Sequence, residues 1–329
     1  MLRILHDTNY DFIRWWKVMA AITIAFIVLG LGSLAIKPPN WSIEFTGGTL
    51  IQLEFAQPPD VSLIRSTLDN AGIHGAEIQQ FGSNREFTVR VQDKAAVAAQ
   101  SAGAESVAAT IQRVLAEKFG ANNLTVKRSE GVGPRVGAEL KRGAIIAILL
   151  SFLITLVYLS IRFEWRFAAA AVIATSHDVF TTIAFLKLMH LEISLTVVAG
   201  LLTVLGYSLN DTIIIFDRAR ENLRKGRKES LYETLNRSIN ETLPRSVLTH
   251  VTVFAATLSL LIFAGEVIRP FAWVMAFGIV TGTFSSIYVA APVLLWIERK
   301  WPRKTTTRPS SSTATPTSRT RRSAATATR

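Results

Sequence analysis

The chain contains no cysteine among its 329 residues, which excludes disulfide bonds and thiolate chemistry. It also lacks the sequence G-x-x-x-x-G-K-[ST], the commonest loop that cradles nucleotide phosphates. Acidic residues are scarce, since 24 stand against 36 lysines and arginines, and the formal charge is +12. A basic chain that is 49% hydrophobic is either a nucleic-acid binder or a membrane protein with basic cytoplasmic segments. The arrangement of the apolar residues decides between these two classes.

Apolar residues are concentrated in six runs of about 18 residues or more, each long enough to cross a bilayer as a helix. The first run is longer than the core of a signal peptide, and no A-x-A cleavage site follows it, so we expect an uncleaved span. The predicted fold class is a polytopic α-helical membrane protein with six transmembrane helices and an extracytoplasmic α+β domain between helices 1 and 2. The predicted spans are residues 18–36, 144–161, 167–189, 193–216, 247–264 and 271–297.

Residues 37–142 separate the first two spans and carry 11 acidic and 12 basic residues, a balance typical of a soluble domain. Their patterns predict the order β-α-β-β-α-β, which is the split unit of ferredoxin-like domains. The segment has one histidine, His74, and no nucleophile clustered with a base, so we expect a binding or packing module rather than an enzyme. The predicted strands are 49–55, 77–81, 86–91 and 125–129, and the predicted helices are 60–70, with Asp60 as N-cap, and 105–119.

Positive charge is concentrated on one side of the predicted membrane. Arg162 and Arg166 lie between the second and third spans, eight basic residues lie within 218–245, and nine basic residues and no acid lie within 299–329. Because Lys and Arg accumulate in cytoplasmic segments, the N-terminal residues 1–17 and the C-terminus are predicted to be cytoplasmic and the balanced domain external.

Two of the cytoplasmic segments have further features. Leu231, Leu235 and Ile239 recur at every fourth residue, so the segment 218–245 is predicted to contain an amphipathic helix along the membrane interface. From Thr305 the tail is Thr, Ser, Pro, Ala and Arg without periodicity, which predicts disorder. We interpret its charge as a topology and solubility signal. Anionic lipid and ribosomal RNA are the alternatives, although we expect no nucleic-acid partner.

Asp211 lies inside the fourth predicted span, six residues or roughly 9 Å of helix rise before the charged residues that begin at Asp217. An aspartate at the centre of a membrane helix costs ~2.5–3.5 kcal/mol, so such a residue normally has a function or a buried partner. One interpretation is a carboxylate that accepts hydrogen bonds and holds helices together. The other is a proton relay, in which burial favours the protonated carboxyl and the approach of Arg245 favours the ionised one. We favour the relay, because Asn210 adjoins Asp211 and Arg245 begins the fifth span.

The third span also carries ionisable residues. Asp178 shares a helical face with Thr175 and Thr182, and it is either a second relay residue or a cap on a kinked helix. His177 and His250 are interpreted as interior histidines, because no third metal ligand accompanies them. No metal site is predicted.

Small and charged residues complete the membrane pattern. Gly278, Gly282 and Ser286 recur at every fourth residue of the sixth span, and small residues at this spacing allow helices to approach closely. The charged residues after the fourth span are interpreted as a solvated salt-bridge rim rather than a catalytic set. They are Asp217, Arg218, Arg220 and Glu221.

At residues 206–221, which read G-Y-S-L-N-D-T-I-I-I-F-D-R-A-R-E, the chain resembles the SecD–SecF family of the bacterial protein-export machinery. This family belongs to the resistance-nodulation-division superfamily, and the likeness is to its smaller, SecF-type member. It covers about residues 14–299. The matching membrane residues are Gly206, Tyr207, Ser208, Asn210, Asp211, Thr212, Asp217, Arg218, Arg220 and Glu221, and those of the external domain are Phe45, Gly47 and Gly48.

The chain departs from the family pattern at three places. Ser42-Ile43-Glu44 stands where the family often has Gly-Ile-Asp, and Ser246 follows Arg245 where the family commonly has Thr. Ala264 replaces the first glycine of a Phe-Gly-Gly sequence between the fifth and sixth spans.

The resemblance implies an accessory of the SecYEG channel that uses the proton motive force, together with SecD, at a late stage of export. The implied partners are SecD, SecYEG and the unfolded exported polypeptide, with YajC and YidC as further candidates, and the implied location is the bacterial inner membrane. By the same likeness, Asp211 and Arg245 correspond to residues of proton passage. Protons are the expected coupling ion, and no other cofactor is expected.

Three other functions are alternatives to this one. Half of a proton-driven small-molecule or lipid exporter is disfavoured, because about a hundred external residues are few for a binding porter. A hydrolase built on His177 and Asp178 lacks a nucleophile–base–orienter trio, so we expect no enzyme. A non-conducting scaffold for the translocon would tolerate neutralisation of both membrane aspartates.

Overall fold

The computed structural model describes residues 8–92, 106–225, 229–265 and 267–302. Within them, six helices are long and apolar enough to cross a membrane. A four-stranded antiparallel sheet and its helices lie between the first two of these helices. The predicted fold class, six spans with an inserted α+β domain, is therefore confirmed. Residues 1–7 and the part of the predicted disordered tail after Pro302 lie outside the described residues.

The elements follow one another in the predicted order. In the chain they are α1 (Trp16–Gly32), α2 (Ile43–Thr46), β1 (Gly48–Phe55), α3 (Val61–Asn70), β2 (Glu77–Gln80), β3 (Glu86–Val91), α4 (Val107–Phe119), β4 (Leu124–Val132), α5 (Pro134–Arg162), α6 (Trp165–Leu188), α7 (Leu195–Arg224), α8 (Leu231–Phe263), α9 (Arg269–Ser285), a π-helical turn (Ser286–Ala290) and α10 (Ala291–Lys300). The sixth span thus consists of α9, the π-helical turn and α10.

The helix predicted within residues 218–245 is present, but it forms the start of the fifth span, α8, and its apolar stripe does not face the membrane interface. The stripe Leu231, Leu235 and Ile239 forms the first turns of α8, which runs without interruption to Phe263. Leu235 and Ile239 are buried in the main core of the bundle, so the stripe packs against protein. Pro244 lies inside α8, where it removes one backbone hydrogen bond without ending the helix.

Two asparagines on α8 bind the N-terminal segment. The side chain of Asn240 accepts a hydrogen bond from the backbone N–H of Tyr10 at 2.9 Å and donates one to its carbonyl at 2.8 Å. One turn earlier, Asn236 accepts from the N–H of Phe12 at 3.0 Å and donates to the carbonyl of Tyr10 at 2.8 Å. These bonds hold Ile13 in the bundle core.

The inserted domain has the predicted ferredoxin-like topology. Its strands are hydrogen-bonded in the order β2-β3-β1-β4, and all neighbours are antiparallel. Asp60 caps α3 by accepting from the N–H of Ser62 at 2.8 Å, and Ser106 caps α4. The predicted start of α4 at Glu105 lies outside the described residues. Alternate residues of the strands pack against α3 and α4 to form an apolar core that includes Leu53 and Val89.

The loop between α6 and α7 joins this domain to the bundle. Ile193 donates its backbone N–H to the carbonyl of Asn40 at 2.7 Å, and its carbonyl accepts from the N–H of Ser42 at 2.9 Å. Glu44 accepts from the N–H of Leu195, the first residue of α7, at 2.6 Å, and therefore caps the helix that carries Asp211. Arg90 on β3 pairs with Glu192 in the same loop.

The bundle is built around α6, α7 and the sixth span. About half or more of the most apolar window of each is buried, at 56%, 50% and 61%, against 6% for both α1 and α5. The latter two present leucines and isoleucines outward, as helices do that face lipid. The three inner helices bring the polar membrane residues together.

Candidate functional site

Asp211 lies in the middle of α7 and is 4% exposed. Its Oδ1 accepts a hydrogen bond from Ser246 Oγ of α8 at 2.5 Å, and its Oδ2 accepts one from Ser286 Oγ of the π-helical turn at 2.7 Å. The carboxyl group is therefore held by hydroxyls from two neighbouring spans. Ser246 is the position where the chain departs from the family's common Thr, and the hydroxyl is retained there.

Asp178 lies in the middle of α6 and is fully buried. Its Oδ2 accepts from Ser208 Oγ of α7 at 2.5 Å and from Ser285 Oγ at the end of α9 at 2.7 Å. Its other oxygen lies 3.2 Å from Nδ1 of His177. The third span thus carries a second carboxyl group with the same kind of hydroxyl partners as Asp211.

Residues adjacent in the chain bind the carboxyl groups of Asp178 and Asp211. Ser285 and Ser286 are adjacent in the chain, and each bonds to a different aspartate. On α7, Ser208 bonds Asp178 and stands three residues before Asp211. The sequence singled out both aspartates, but it did not show that serines connect them.

Arg245 does not contact Asp211 through any interaction within the described chain. It is exposed on α8 and lines a cleft of about 470 Å³ with Arg162 and Asp217, among others. The sequence suggested that Arg245 approaches Asp211. In the structure the next residue, Ser246, makes the contact with this carboxyl group. Arg245 is therefore placed beside the buried site, on the side where the charged rim lies.

A small pocket adjoins Asp211 on its other side. Tyr207, Asn210 and His250 line it together with Asp211. The rings of Tyr207 and His250 meet edge to face, with centroids 5.3 Å apart. The hydroxyl of Tyr207 and Nδ1 of His250 are both buried and have no hydrogen-bond partner among the described residues. Two buried polar atoms of this kind suit a bound water, which would bond them to each other or to the carboxyl group.

The charged residues that follow α7's apolar part form an ion-pair network at the surface. Arg218 pairs with Glu221 at 2.6 Å and with Glu241 of α8 at 2.5 Å. Asp217 lies 3.8 Å from Arg162, and Arg220 donates to the carbonyl of Arg162 at 3.1 Å. Asn222, which the sequence analysis missed, is buried and donates to Ser238 and Glu241.

Glycines set the spacing of α7 and the sixth span. A Cβ atom at Gly278 would lie 2.3 Å from the side chain of Val204, and one at Gly282 would lie 2.9 Å from Cβ of Ser208. Only residues without a side chain allow this approach, which also brings Ser208 and Ser285 to the same carboxyl oxygen. A Cβ atom at Gly206 would meet no atom of another described helix within 4 Å, and Thr212 donates to the carbonyl of Ser208 at 3.4 Å.

The external motif lies where the inserted domain meets the bundle. Phe45 is buried in the short helix α2, and its ring meets that of Trp41 edge to face. Gly47 and Gly48 have positive φ angles of 74° and 127°, which side chains rarely adopt. Gly137 at the start of α5 packs so closely against this turn that a Cβ there would lie 2.9 Å from the nitrogen of Gly47.

Among the described residues, no group of three or more His, Asp or Glu side chains could hold a metal ion. The polar residues of the bundle are instead arranged as paired carboxyl and hydroxyl groups.

Comparison with known proteins agrees with this architecture. Residues 111–300 match the family model described as protein export membrane protein SecD/SecF, C-terminal, and residues 32–59 match the SecD/SecF GG motif. A chain with this fold and these two motifs is a membrane protein of the SecD/SecF export class.

Within the SecD/SecF class, close relatives of this chain are SecF subunits. The SecF subunit of the protein translocase from Gemmatimonas aurantiaca is 62% identical over 305 residues, which are 92% of this chain and 91% of that protein. The SecF subunit from Escherichia coli O157:H7 is 39% identical over 88% of each chain. The chain belongs to the SecF family of protein translocase subunits.

A solved structure shows the same fold. The crystal structure of SecDF, a translocon-associated membrane protein from Thermus thermophilus, superposes with a TM-score of 0.79 at 34% identity and covers 91% of this chain. A second SecDF structure, in a form described as super-membrane-facing, gives a TM-score of 0.64 at 36% identity. This chain spans 40% of each of those SecDF chains.

Proposed function

We propose that this chain works with SecD as a proton-driven subunit that assists the late export of polypeptides through the SecYEG channel. One observation supports this above all: the carboxyl group of Asp211 is buried within the membrane-spanning helix α7 and held by hydroxyls from two other spans. Carboxyl groups at such positions commonly serve proton or ion pathways. YajC and YidC are proposed as further partners in the same membrane.

Arg245 acts in this proposal as the cation that controls Asp211. It starts in the cleft beside the charged rim, one residue from Ser246, which already bonds Asp211. Successive residues of a helix point about 100° apart. The guanidinium group therefore replaces the serine hydroxyl only if the long side chain of Arg245 swings toward Asp211 while α8 turns. The approach of the cation favours the ionised carboxylate and its withdrawal favours the protonated form, so the motion loads and unloads a proton.

The energy available is sufficient for this task. One elementary charge that crosses 100 mV releases about 2.3 kcal/mol. Because ~1.4 kcal/mol corresponds to a tenfold change in an equilibrium constant, one proton biases a conformational equilibrium roughly fifty-fold. A bias of this size can drive the external domain between two positions.

Neutralising the relay tests the proposal. In membrane vesicles that contain SecD and SecYEG, Asp211→Asn and Arg245→Met are each expected to insert normally and to abolish the stimulation of export by a proton gradient. Glu139→Gln is the control, because it removes an exposed carboxylate of α5 that lines neither the cleft of Arg245 nor the pocket beside Asp211, and it should keep the stimulation. Full stimulation in Asp211→Asn would contradict the relay and favour a structural scaffold.

We also propose that the protein lies in the bacterial inner membrane, with both termini in the cytoplasm and the ferredoxin-like domain outside. The excess of Lys and Arg in the segments after α5, α7 and α10 supports this orientation. The chain has no cysteine, so single-cysteine variants can be labelled without background. Asn84→Cys in the external turn is expected to react with an impermeant maleimide in intact cells, whereas Arg224→Cys should react only after lysis. The reverse pattern would overturn the assignment.

A further inference from the structure

The buried carboxyl of Asp178 is not used by the relay of Asp211 and Arg245, yet its surroundings match those of Asp211. Each aspartate accepts hydrogen bonds from two serines that belong to two other helical segments. Both are nearly or fully buried at the middle of their helices. Asp178 is therefore held in the same way as Asp211, the residue that the proposed function assigns to proton transfer.

The serines between the two aspartates have a choice of acceptor. Ser285 Oγ lies 2.7 Å from Asp178 Oδ2 and 3.1 Å from the carbonyl of Gly282. Ser286 Oγ lies 2.7 Å from Asp211 Oδ2 and 2.9 Å from the carbonyl of Thr283. A hydroxyl has one proton, so it donates either to the carboxyl group or to the carbonyl.

This choice depends on the protonation of the aspartate. An ionised carboxylate can only accept, so the serine donates to it. A protonated carboxyl has its own O–H to donate, which allows the serine to accept from it and to turn its proton to the backbone carbonyl. The orientation of each hydroxyl therefore reports whether its aspartate carries a proton.

The position of these two serines links the two sites. Ser285 ends α9 and Ser286 begins the π-helical turn, and such turns are frequent at functional sites. Because the two residues are consecutive, a shift of this turn changes the hydroxyl contacts of both aspartates at once.

His177 supplies an acceptor for the proton. Its Nδ1 faces Asp178 at 3.2 Å, while its Nε2 is buried without a hydrogen-bond partner among the described residues. The ring lies beside Phe284 of the sixth span, with centroids 6.4 Å apart. The titratable side chain that acts on Asp178 is His177 itself, because α7 and α9 present serines to this carboxyl group.

We propose that His177 and Asp178 form a second proton-binding site, coupled to Asp211 through Ser285 and Ser286. A proton binds Nε2 of His177, and Nδ1 passes its own proton to Oδ1 of Asp178. The histidine is then neutral with its proton on Nε2, the carboxyl group is neutral, and the site has gained one proton and one positive charge. This inference extends the proposed function, because it places a second proton site in series with Asp211.

Infrared difference spectroscopy of the complex with SecD in liposomes tests the site, because protonated carboxyl groups absorb apart from carboxylates. A change of pH is expected to give two buried carboxyl bands in the unmodified protein. Asp178→Asn should remove one band and Asp211→Asn the other. If Asp178→Asn retained both bands, the second proton site would be overturned.

His177→Gln can still donate a hydrogen bond to Asp178 but cannot take up a proton, so this variant should lose the Asp178 band. A band that is retained would overturn the role of His177.

The coupling has its own matched pair of variants. Ser285→Ala removes the hydroxyl shared with Asp178, and Ser286→Ala removes the one shared with Asp211. Each is expected to move the titration midpoint of both carboxyl bands, whereas a shift confined to the nearer aspartate would overturn the coupling. Failure of the second proton site can be distinguished from failure of the proposed function. If Asp211→Asn keeps full proton-stimulated export, that function fails, and the infrared bands still decide whether Asp178 binds a proton.

Discussion

The external domain buries mainly apolar side chains, whereas the membrane bundle buries carboxyl and hydroxyl groups beside an apolar core of its own. The sheet and two helices of the external domain enclose apolar residues such as Leu53 and Val89, and the polar residues of the strands lie outward. At the centre of the bundle, Asp178, Ser285 and Ser286 are fully buried, while its outer helices expose leucines and isoleucines.

The difference follows from the surrounding solvent. Water drives apolar side chains of the external domain together, with ~1.5–3 kcal/mol for each large one that is fully buried. Lipid is as apolar as leucine, so membrane helices associate through close packing and hydrogen bonds between them. The external domain therefore owes its fold to apolar area, whereas the bundle adds close packing of small residues and hydroxyl–carboxyl hydrogen bonds to its apolar core.

The largest effect is expected from the apolar core outside the membrane. Leu53→Ala removes a fully buried side chain at the centre of the sheet and should lower the free energy of unfolding of this domain by ~2–5 kcal/mol. Leu63→Ala is the control, because Leu63 is 38% exposed on α3 and should change stability by less than ~0.5 kcal/mol. Urea unfolding of the full-length protein, followed by amide exchange in β1 and β3, measures both. If the two variants lost the same amount of unfolding free energy, burial of apolar area would not be what stabilises this domain.

An intermediate effect is expected where two membrane helices touch. Gly278→Ala adds one methyl group that would lie 2.3 Å from the side chain of Val204, and overpacking of this kind costs ~1–3 kcal/mol. Gly143→Ala in α5 is the control, because no described residue of another element lies within 4 Å of its Cβ position and alanine favours the helix. Thermal unfolding in detergent should show a lower midpoint for Gly278→Ala alone. An unchanged midpoint would mean that close approach of α7 and α9 is not what stabilises the bundle.

The sequence predicted what depends on periodicity and on local motifs. Six apolar runs gave six spans, and alternating strands gave the order of the external sheet. The sequence predicted the wrong surroundings for the stripe of Leu231, Leu235 and Ile239. A helix that packs against protein has the same apolar stripe as a helix that lies on lipid, so periodicity alone does not distinguish them.

The partners of the membrane aspartates were beyond the sequence for a different reason. Asp178 and Asp211 stand out because carboxyl groups are rare in apolar runs, but serines are common in membrane helices and carry no such signal. That Ser285 faces one aspartate and Ser286 the other depends on the π-helical turn that begins between them. Glu44 likewise gains its role as cap of α7 only from the docking of the external domain.

The smallest effect is expected at the boundary between the two regions, where Glu192 is partly buried beside Arg90. Burial raises the pKa of Glu192, and the guanidinium of Arg90 opposes this shift only in part. The docked state therefore holds the proton more tightly than an undocked state does. By linkage, the contribution of this group to docking is present at low pH and is lost as the pH rises through the raised pKa.

Amide exchange at Ile193, whose N–H bonds to Asn40 across the boundary, measures this docking. Protection of Ile193 should increase as the pH falls toward the ordinary pKa of a glutamate, after correction for the intrinsic exchange rate. Glu192→Gln keeps a neutral side chain of the same size, so its corrected protection should not vary with pH. Glu139→Gln, which alters an exposed pair with Arg135 on α5, should behave like the unmodified protein. If protection of Ile193 instead increased with pH in the unmodified protein, the ion pair with Arg90 would outweigh the cost of burying the carboxylate. The boundary would then be stabilised by charge, whereas the buried aspartates of the bundle are held by hydrogen bonds.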